Sequence, residues 1–186
     1  MTLFLRFLRR GVLAASLALI AGTAFADMPV TYTDNNRALF SVTVPDFWQG
    51  RAGGERILTA PDSDETRLIN RVIGLSPTSG DGVWVGFMSP HGVRTFAEGE
   101  AYLENIGQSV VTNPKLLDEK RITVGGRSAV QYTGTGRRDG KAVAFTAMLI
   151  DLPRDRMAVS LIVIEAGVDP EFRQDINRIY SSFRAR

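Results

Sequence analysis

Residues 120–164 read KRITVGGRSAVQYTGTGRRDGKAVAFTAMLIDLPRDRMAVSLIVI, and this stretch decides the fold. Its apolar runs are rich in β-branched residues, and turn signals such as Gly125-Gly126 and Asp139-Gly140 separate them. The Asp-Gly pair suits a type I′ hairpin turn. Four strands in hairpin succession are therefore predicted, at residues 120–124, 128–132, 142–150 and 157–164.

Two helices are predicted, one on each side of that stretch. Thr95-Phe-Ala-Glu98 is a capping box, in which the threonine oxygen accepts from the N3 amide and the glutamate accepts from the cap amide. The helix must end before Pro114, because the residue before a proline avoids the helical conformation. The second helix opens with Asp169 as its cap and Pro170 at its first position. Its apolar stripe consists of Phe172, Ile176, Ile179, Tyr180 and Phe183.

The remaining strands are predicted nearer the amino terminus, at residues 30–33, 38–44, 69–75 and 83–88. Residues 50–67, rich in Gly, Asp and Arg, predict a loop with at most one short strand. The order of strands, helix, strands and helix predicts an α+β fold, with a central antiparallel β-sheet flanked by helices as an α-β-α sandwich.

The amino terminus predicts export. Three arginines precede the apolar run of residues 11–20, and Ala24-Phe25-Ala26 has the small residues of a cleavage site. Residues 1–26 are therefore predicted to be a signal peptide, and residues 27–186 a single periplasmic or secreted domain. Two alternatives stay open. Arg9-Arg10 suits the twin-arginine route, and an uncleaved segment would be a membrane anchor, although the run is short for a span.

Charge and cysteine content exclude several classes of function. Loss of residues 1–26 removes three arginines and no acid, which turns the net charge of +2 into −1. Nucleic-acid binding requires a clustered positive surface, so no nucleic-acid partner is expected. The chain has no cysteine, which excludes thiolate zinc sites, cysteine nucleophiles and disulfides.

No catalytic residue, metal site or cofactor is predicted. His91 is the single histidine, and no Gly-x-Ser-x-Gly motif positions a serine nucleophile. Residues 134–140 superficially look like a phosphate-binding loop, but strands lie on both sides of them, so they are predicted to be a hairpin tip. The binding candidates are Trp48, an aromatic after a strand, together with His91 and Arg94 in the loop of residues 89–95.

Three segments resemble the PsbP-like superfamily, which includes bacterial exported proteins of unknown function, the DcrB-like group among them. They are the strand that runs into Pro45-Asp-Phe-Trp48, the strand and glycine turn of residues 122–129, and the helix end Ile179-Tyr-Ser-Ser-Phe183. The resemblance covers nearly all of residues 28–186. It implies an α-β-α sandwich and roles in binding or assembly.

The leading hypothesis is therefore a non-catalytic binding or assembly-accessory protein. It would contact an envelope protein through a sheet face or the loops of residues 50–67 and 89–95, without stable membrane insertion after signal cleavage. A carrier of a small ligand or a metal is the alternative, and it predicts an enclosed pocket. A hydrolase that uses carboxylates is the third hypothesis, and it predicts paired buried acids with perturbed pKa values.

Overall fold

The computed structural model describes residues 27–54, 56–59, 66–69, 71–80, 82–168 and 170–186. The predicted signal peptide, residues 1–26, and the predicted helix cap Asp169 lie outside the described residues. In chain order the elements are β1 (Met28–Asp34), β2 (Arg37–Val44), β3 (Trp48–Gly53), β4 (Arg56–Thr59), β5 (Thr66–Ile69), β6 (Val72–Pro77), β7 (Val83–Met88), α1 (Phe96–Val110), β8 (Thr112–Val124), β9 (Arg127–Arg138), β10 (Lys141–Leu152), β11 (Arg156–Glu165), α2 (Glu171–Ser181) and β12 (Arg184–Ala185).

The strands form three antiparallel sheets. The largest has seven strands in the order β3-β6-β7-β11-β10-β9-β8, and the smaller ones are β1-β2-β12 and the pair β4-β5. β8, β9, β10 and β11 follow one another as hairpins, as the sequence predicts. The predicted hairpin of β6 and β7 is also present. The α+β fold class with a central antiparallel sheet is confirmed.

Two-residue turns with positive φ at both positions close the β1–β2, β8–β9 and β9–β10 hairpins. Asp139 and Gly140 have φ of 50° and 78°, which is the geometry of the predicted type I′ turn. Such turns match the right-handed twist of the strands that they join. Three further pairs have positive φ at both residues, namely Asn35-Asn36, Gly125-Gly126 and Arg154-Asp155.

The two helices cover opposite faces of the seven-stranded sheet. Leu149 and Leu161 pack in one cluster with Ile106 of α1, whereas their neighbours Ile150 and Ile162 pack with residues of α2. Successive residues of a strand point to opposite faces, so the strands bury both of their faces. β2 lies on the α2 side, where the ring of Phe40 stacks on Phe183 at 5.3 Å between centroids. This arrangement is the predicted α-β-α sandwich.

Several predicted boundaries differ from the structure; among them, β9 continues to Arg138 and β6 begins at Val72. Residues 50–67 are not mainly a loop, because β3 continues to Gly53, β4 lies within the range and β5 begins in it. The side chains of residues 49–52 in β3 are exposed, so this edge strand lacks the apolar alternation that identifies a strand. β8 begins at Thr112 rather than at residue 120, and it tolerates Pro114 because it is an edge strand. α2 begins at Glu171, with Pro170 as its cap residue.

No helix in the described part of the chain is long and apolar enough to span a bilayer.

Candidate functional site

Trp48, the first predicted binding residue, lies in the core. Its side chain is 2% exposed, and its ring meets Phe172 of α2 edge-on. The indole Nε1 donates to Oδ2 of Asp175 at 3.3 Å, and the Arg178 guanidinium donates to Oδ1 of the same carboxylate at 2.7 Å. Trp48 therefore ties the start of β3 to α2 and does not reach the surface.

His91 and Arg94, the other two predicted residues, lie on the surface after β7. The His91 side chain is 51% exposed, and its Nε2 lies 3.5 Å from Oδ1 of Asp34. Arg94 is exposed, and its backbone amide donates to the Glu98 carboxylate at 2.7 Å. This amide and that of Thr95 hold the pKa of Glu98 below its usual value. Among the described residues, no contact joins Trp48, His91 and Arg94 into one site.

The feature that best fits a binding site is a groove between α1 and the edge strand β8, called here the α1–β8 groove. Its volume is about 610 Å³. Leu116 of β8 lines it and is 57% exposed, and Leu117 beside it is 61% exposed. Of the described large apolar side chains, these two and Met28 are the exposed ones. The apolar lining consists of Leu103, Val111, Pro114, Leu116, Phe145, Ala147 and Leu161.

Glycines keep this groove open. A Cβ at Gly134 of β9 would collide with the Phe145 ring and would lie 2.5 Å from the Lys115 carbonyl oxygen. A Cβ at Gly136 would collide with Val111 and lie 3.0 Å from the Thr112 carbonyl oxygen. The two glycines therefore allow Phe145 and Val111 to lie flat on β9 and β8 to pass close to it. On the helix wall, a Cβ at Gly107 would meet nothing within 4 Å.

Charge around the α1–β8 groove is negative. The charged residues of its lining in the described part of the chain are Glu100, Glu104 and Glu119. Tyr132 donates from its hydroxyl to Oε1 of Glu100 at 2.6 Å. Burial and this hydrogen bond to a carboxylate raise the pKa of Tyr132, so the phenol stays protonated at neutral pH. The groove is thus an apolar channel with an acidic rim.

This groove is not among the sites predicted from the sequence, although the sequence carries one signal of it. Leu116 and Leu117 are adjacent leucines in an otherwise polar segment, and the register between β8 and β9 shifts at this point. Both leucines are exposed there. That pair of leucines would have marked β8 as a surface with unburied apolar groups.

A carboxylate hydrolase would need paired buried acids, and a metal carrier would need a cluster of ligating side chains. The buried polar or charged side chains of the described residues are Ser41, Ser89, Ser160 and Asp175, so a single buried acid is found there. Asp175 is occupied by Trp48 and Arg178. No group of three or more His, Asp or Glu side chains among the described residues is placed to hold a metal ion.

No protein-family model matches the chain, and no curated protein sequence matches it. Its structure is similar to cyanobacterial PsbP from Synechocystis, with 10% identity and a TM-score of 0.49 over 95% of this chain and 100% of that one. It is also similar to LpqN, involved in cell envelope biogenesis of Mycobacterium tuberculosis, with 20% identity and a TM-score of 0.44 over 86% and 90% of the two chains. A third similar structure is the Ran-binding protein Mog1p of Saccharomyces cerevisiae, with 12% identity and a TM-score of 0.45 over 87% and 96%.

A PsbP protein is thus among the solved structures to which the chain is similar, in agreement with the resemblance that the sequence motifs indicate. At these identities the likeness concerns the fold alone.

Proposed function

We propose that the chain is a non-catalytic binding protein, exported with loss of residues 1–26, that holds an extended, basic segment of another envelope protein in the α1–β8 groove. The observation that carries this proposal is the apolar floor of the groove, which the described part of the chain leaves uncovered at Leu116. Binding and assembly roles need such a surface and need no catalytic residues.

Apolar burial supplies the affinity in this proposal. The exposed part of Leu116, more than half of its side chain, loses water contact when a partner residue covers it. Full burial of a leucine contributes about 1.5 to 3 kcal/mol, so Leu116 alone contributes about 1 kcal/mol. Leu103, Val111 and Phe145 provide adjoining apolar surface for further partner side chains.

The acidic rim supports a basic partner. Glu100 and Glu104 line the helix wall and Glu119 the strand wall, so a lysine or arginine between them meets carboxylates on both sides. Rim charges of this kind mainly raise the rate of association and select the partner. Binding should therefore weaken as salt screens these charges.

The free edge of β8 supports an extended partner rather than a globular one. β8 is the last strand of the seven-stranded sheet, and no other described strand pairs with its outer edge. An edge strand presents unpaired backbone N–H and C=O groups, to which an extended segment can add as a further strand. Apolar residues of that segment would alternate between the groove and the outer side.

The test is site-specific photo-cross-linking in intact cells. A photoreactive phenylalanine analogue replaces Leu116 in one variant and Ala52, an exposed residue of the opposite edge strand β3, in a control. We expect a protein adduct from position 116 that position 52 does not form, and the cross-linked peptide should carry lysine or arginine beside apolar residues. Equal adducts from both positions, or adducts with acidic peptides, would contradict the proposal.

A pair of variants in α1 tests whether the partner segment binds in the groove itself. Gly107→Leu fills open space in the wall of the groove, whereas Ala101→Leu adds the same apolar bulk at an exposed position of α1 outside its lining. The synthetic peptide of the cross-linked segment should bind Gly107→Leu at least tenfold more weakly than the wild type, a loss of about 1.4 kcal/mol. Ala101→Leu should bind as the wild type does.

A small-ligand carrier is the second candidate function, because about 610 Å³ with a mostly apolar lining is also the size of a ligand pocket. Absence of a protein adduct at position 116, together with a small molecule that copurifies with the wild type but not with Gly107→Leu, would favour the carrier.

A further inference from the structure

A second cavity lies on the opposite face of the sheet, under α2. Its volume is about 390 Å³, and it is called here the α2 pocket. β8 to β11 form its floor and α2 forms its wall. It shares no lining residue with the α1–β8 groove. Whatever it binds is therefore independent of the function proposed above.

The floor of the α2 pocket is aliphatic. Met148 and Ile162 are 5% and 6% exposed, while Ile122 and Ile164 are half-buried at the open side. The Tyr180 ring closes one side, and its hydroxyl is bonded to Ser160. Burial raises the pKa of Tyr180, so this wall is neutral at physiological pH. The interior of the pocket thus suits an uncharged, apolar body.

Polar side chains converge at the mouth of the pocket without partners of their own. Gln131 and Thr146 lie half-buried on the sheet, and Asn177 and Arg173 lie opposite them on α2. Within the described part of the chain, none of these four side chains makes a hydrogen bond or an ion pair. Arg173 and Asn177 are exposed, and Gln131 and Thr146 are half-buried, so solvent reaches this mouth. Here they are left for water or a ligand.

The positive charge of Arg173 makes the α2 pocket suited to an anionic ligand. It is the charged residue among the fourteen lining residues, and the glutamates of the α1–β8 groove are on the other face of the sheet. A guanidinium binds a carboxylate through two parallel N–H donors. The lining is polar and apolar in nearly equal parts, and a small-molecule site combines placed polar groups with apolar surface.

We propose that the α2 pocket binds a small amphipathic carboxylate. The carboxylate pairs with Arg173, an amide or hydroxyl group of the ligand bonds to Gln131, Thr146 or Asn177, and its aliphatic tail packs on Met148, Ile162 and Ile164. The chemical class is an acylated amino acid or another carboxylate with one hydrogen-bonding group and a short apolar tail.

The test uses two probes that differ in charge alone, N-hexanoylglycine and N-hexanoylglycinamide, titrated into the full chain as expressed and processed by its host. Calorimetry should give one site for N-hexanoylglycine and an affinity about tenfold lower for the amide, a difference of about 1.4 kcal/mol. Methyl NMR signals of Ile122, Ile162 and Ile164 should shift. Equal affinity for both probes, no binding of either, or shifts at Leu103 and Leu116 instead would overturn the proposal.

Variants separate recognition from folding. Arg173→Gln should remove the preference for the carboxylate, and Thr146→Val should weaken both probes equally. Arg51→Gln, the same change at an exposed residue of β3 outside the pocket, should leave both affinities unchanged. Thermal unfolding of each variant confirms that it is folded. A preference for the carboxylate that persists in Arg173→Gln would also overturn the proposal.

Discussion

The phenol groups of this protein have an unusual property at the level of single residues. All four tyrosines, Tyr32, Tyr102, Tyr132 and Tyr180, have a pKa raised above the ordinary value of 10.0, and burial is the largest cause for each. Burial raises the pKa of Tyr102 of α1 to about 12, because its ring packs in the cluster that contains Met88 and its hydroxyl lies at the Met88 sulfur. Burial disfavours the charged phenolate.

This property predicts a loss of stability at alkaline pH. Above pH 10 the tyrosines of the unfolded chain ionise while those of the folded chain remain protonated, so the unfolded state binds fewer protons and the free energy of unfolding falls. Tyr102, whose pKa is raised to about 12, contributes a slope of about −1.4 kcal/mol per pH unit between pH 10 and 12. Tyr102→Phe should have a shallower slope between pH 10 and 12, measured by urea denaturation. An identical pH profile for the variant and the wild type would contradict this prediction.

The burial of Trp48 is an example of a residue property that the sequence does not predict. A tryptophan after a strand suits a surface site and a core position equally well in sequence, and Trp48 occupies the core. The carboxylate that binds its indole, Asp175, lies 127 positions later in the chain. No local pattern contains that contact.

At the level of elements, α1 carries two glycines in opposite environments. Gly99 is buried, and a Cβ there would lie 2.8 and 2.9 Å from the two Cδ atoms of Leu149, which is fully buried. A Cβ at Gly107 would meet nothing within 4 Å. Gly99 is therefore the point at which the helix docks closely on the sheet.

The two glycines give a matched pair of variants. Gly107→Ala should raise the free energy of unfolding by about 1 kcal/mol, because alanine favours the helix over glycine by about that amount. Gly99→Ala gains the same propensity, but overpacking against Leu149 costs about 1 to 3 kcal/mol, so the net change should be destabilising or close to zero. Urea denaturation measures both. Stabilisation of equal size in the two variants would show that Gly99 is not a docking point.

Elements with a local signature were predicted well. The capping box of α1 is present, with Thr95 Oγ1 accepting from the Glu98 amide at 3.2 Å. Asp139-Gly140 forms its predicted turn for the same reason, since the two residues determine the backbone conformation themselves. β3 has no such signature, because its pairing with β6 is made by backbone groups and most of its side chains face water.

At the level of the whole molecule, Arg156 joins the three-stranded sheet β1-β2-β12 to the seven-stranded sheet. It begins β11 and donates to Oδ2 of Asp34, the last residue of β1, at 2.8 Å. It also donates to the backbone and side-chain oxygens of buried Ser89, at 3.1 Å each. The side chains of Arg156 and Asp34 are 16% and 18% exposed, so solvent screens this pair only weakly.

Loss of the Arg156 side chain should therefore destabilise the protein, because it removes the ion pair that joins the two sheets. Arg156→Met leaves the Asp34 carboxylate with His91 as its remaining ionisable partner, and it should lower the free energy of unfolding by about 3 kcal/mol. In the double variant with Asp34→Asn the loss should be smaller than the sum of the single losses, with a coupling of about 1 to 3 kcal/mol. Additive losses, measured by urea denaturation, would mean that the ion pair does not hold the sheets together.

The sequence by itself determined the order of the hairpins, the cap of α1 and the antiparallel, helix-covered architecture. Each of these depends on residues within a few positions of one another, where backbone preference and apolar periodicity act directly. Only the tertiary structure decided that Trp48 is buried, that Leu116 lines a groove and that Arg173 faces Gln131 across a pocket. Those relations join residues that are distant in the chain, and the packing of helix against sheet brings them together.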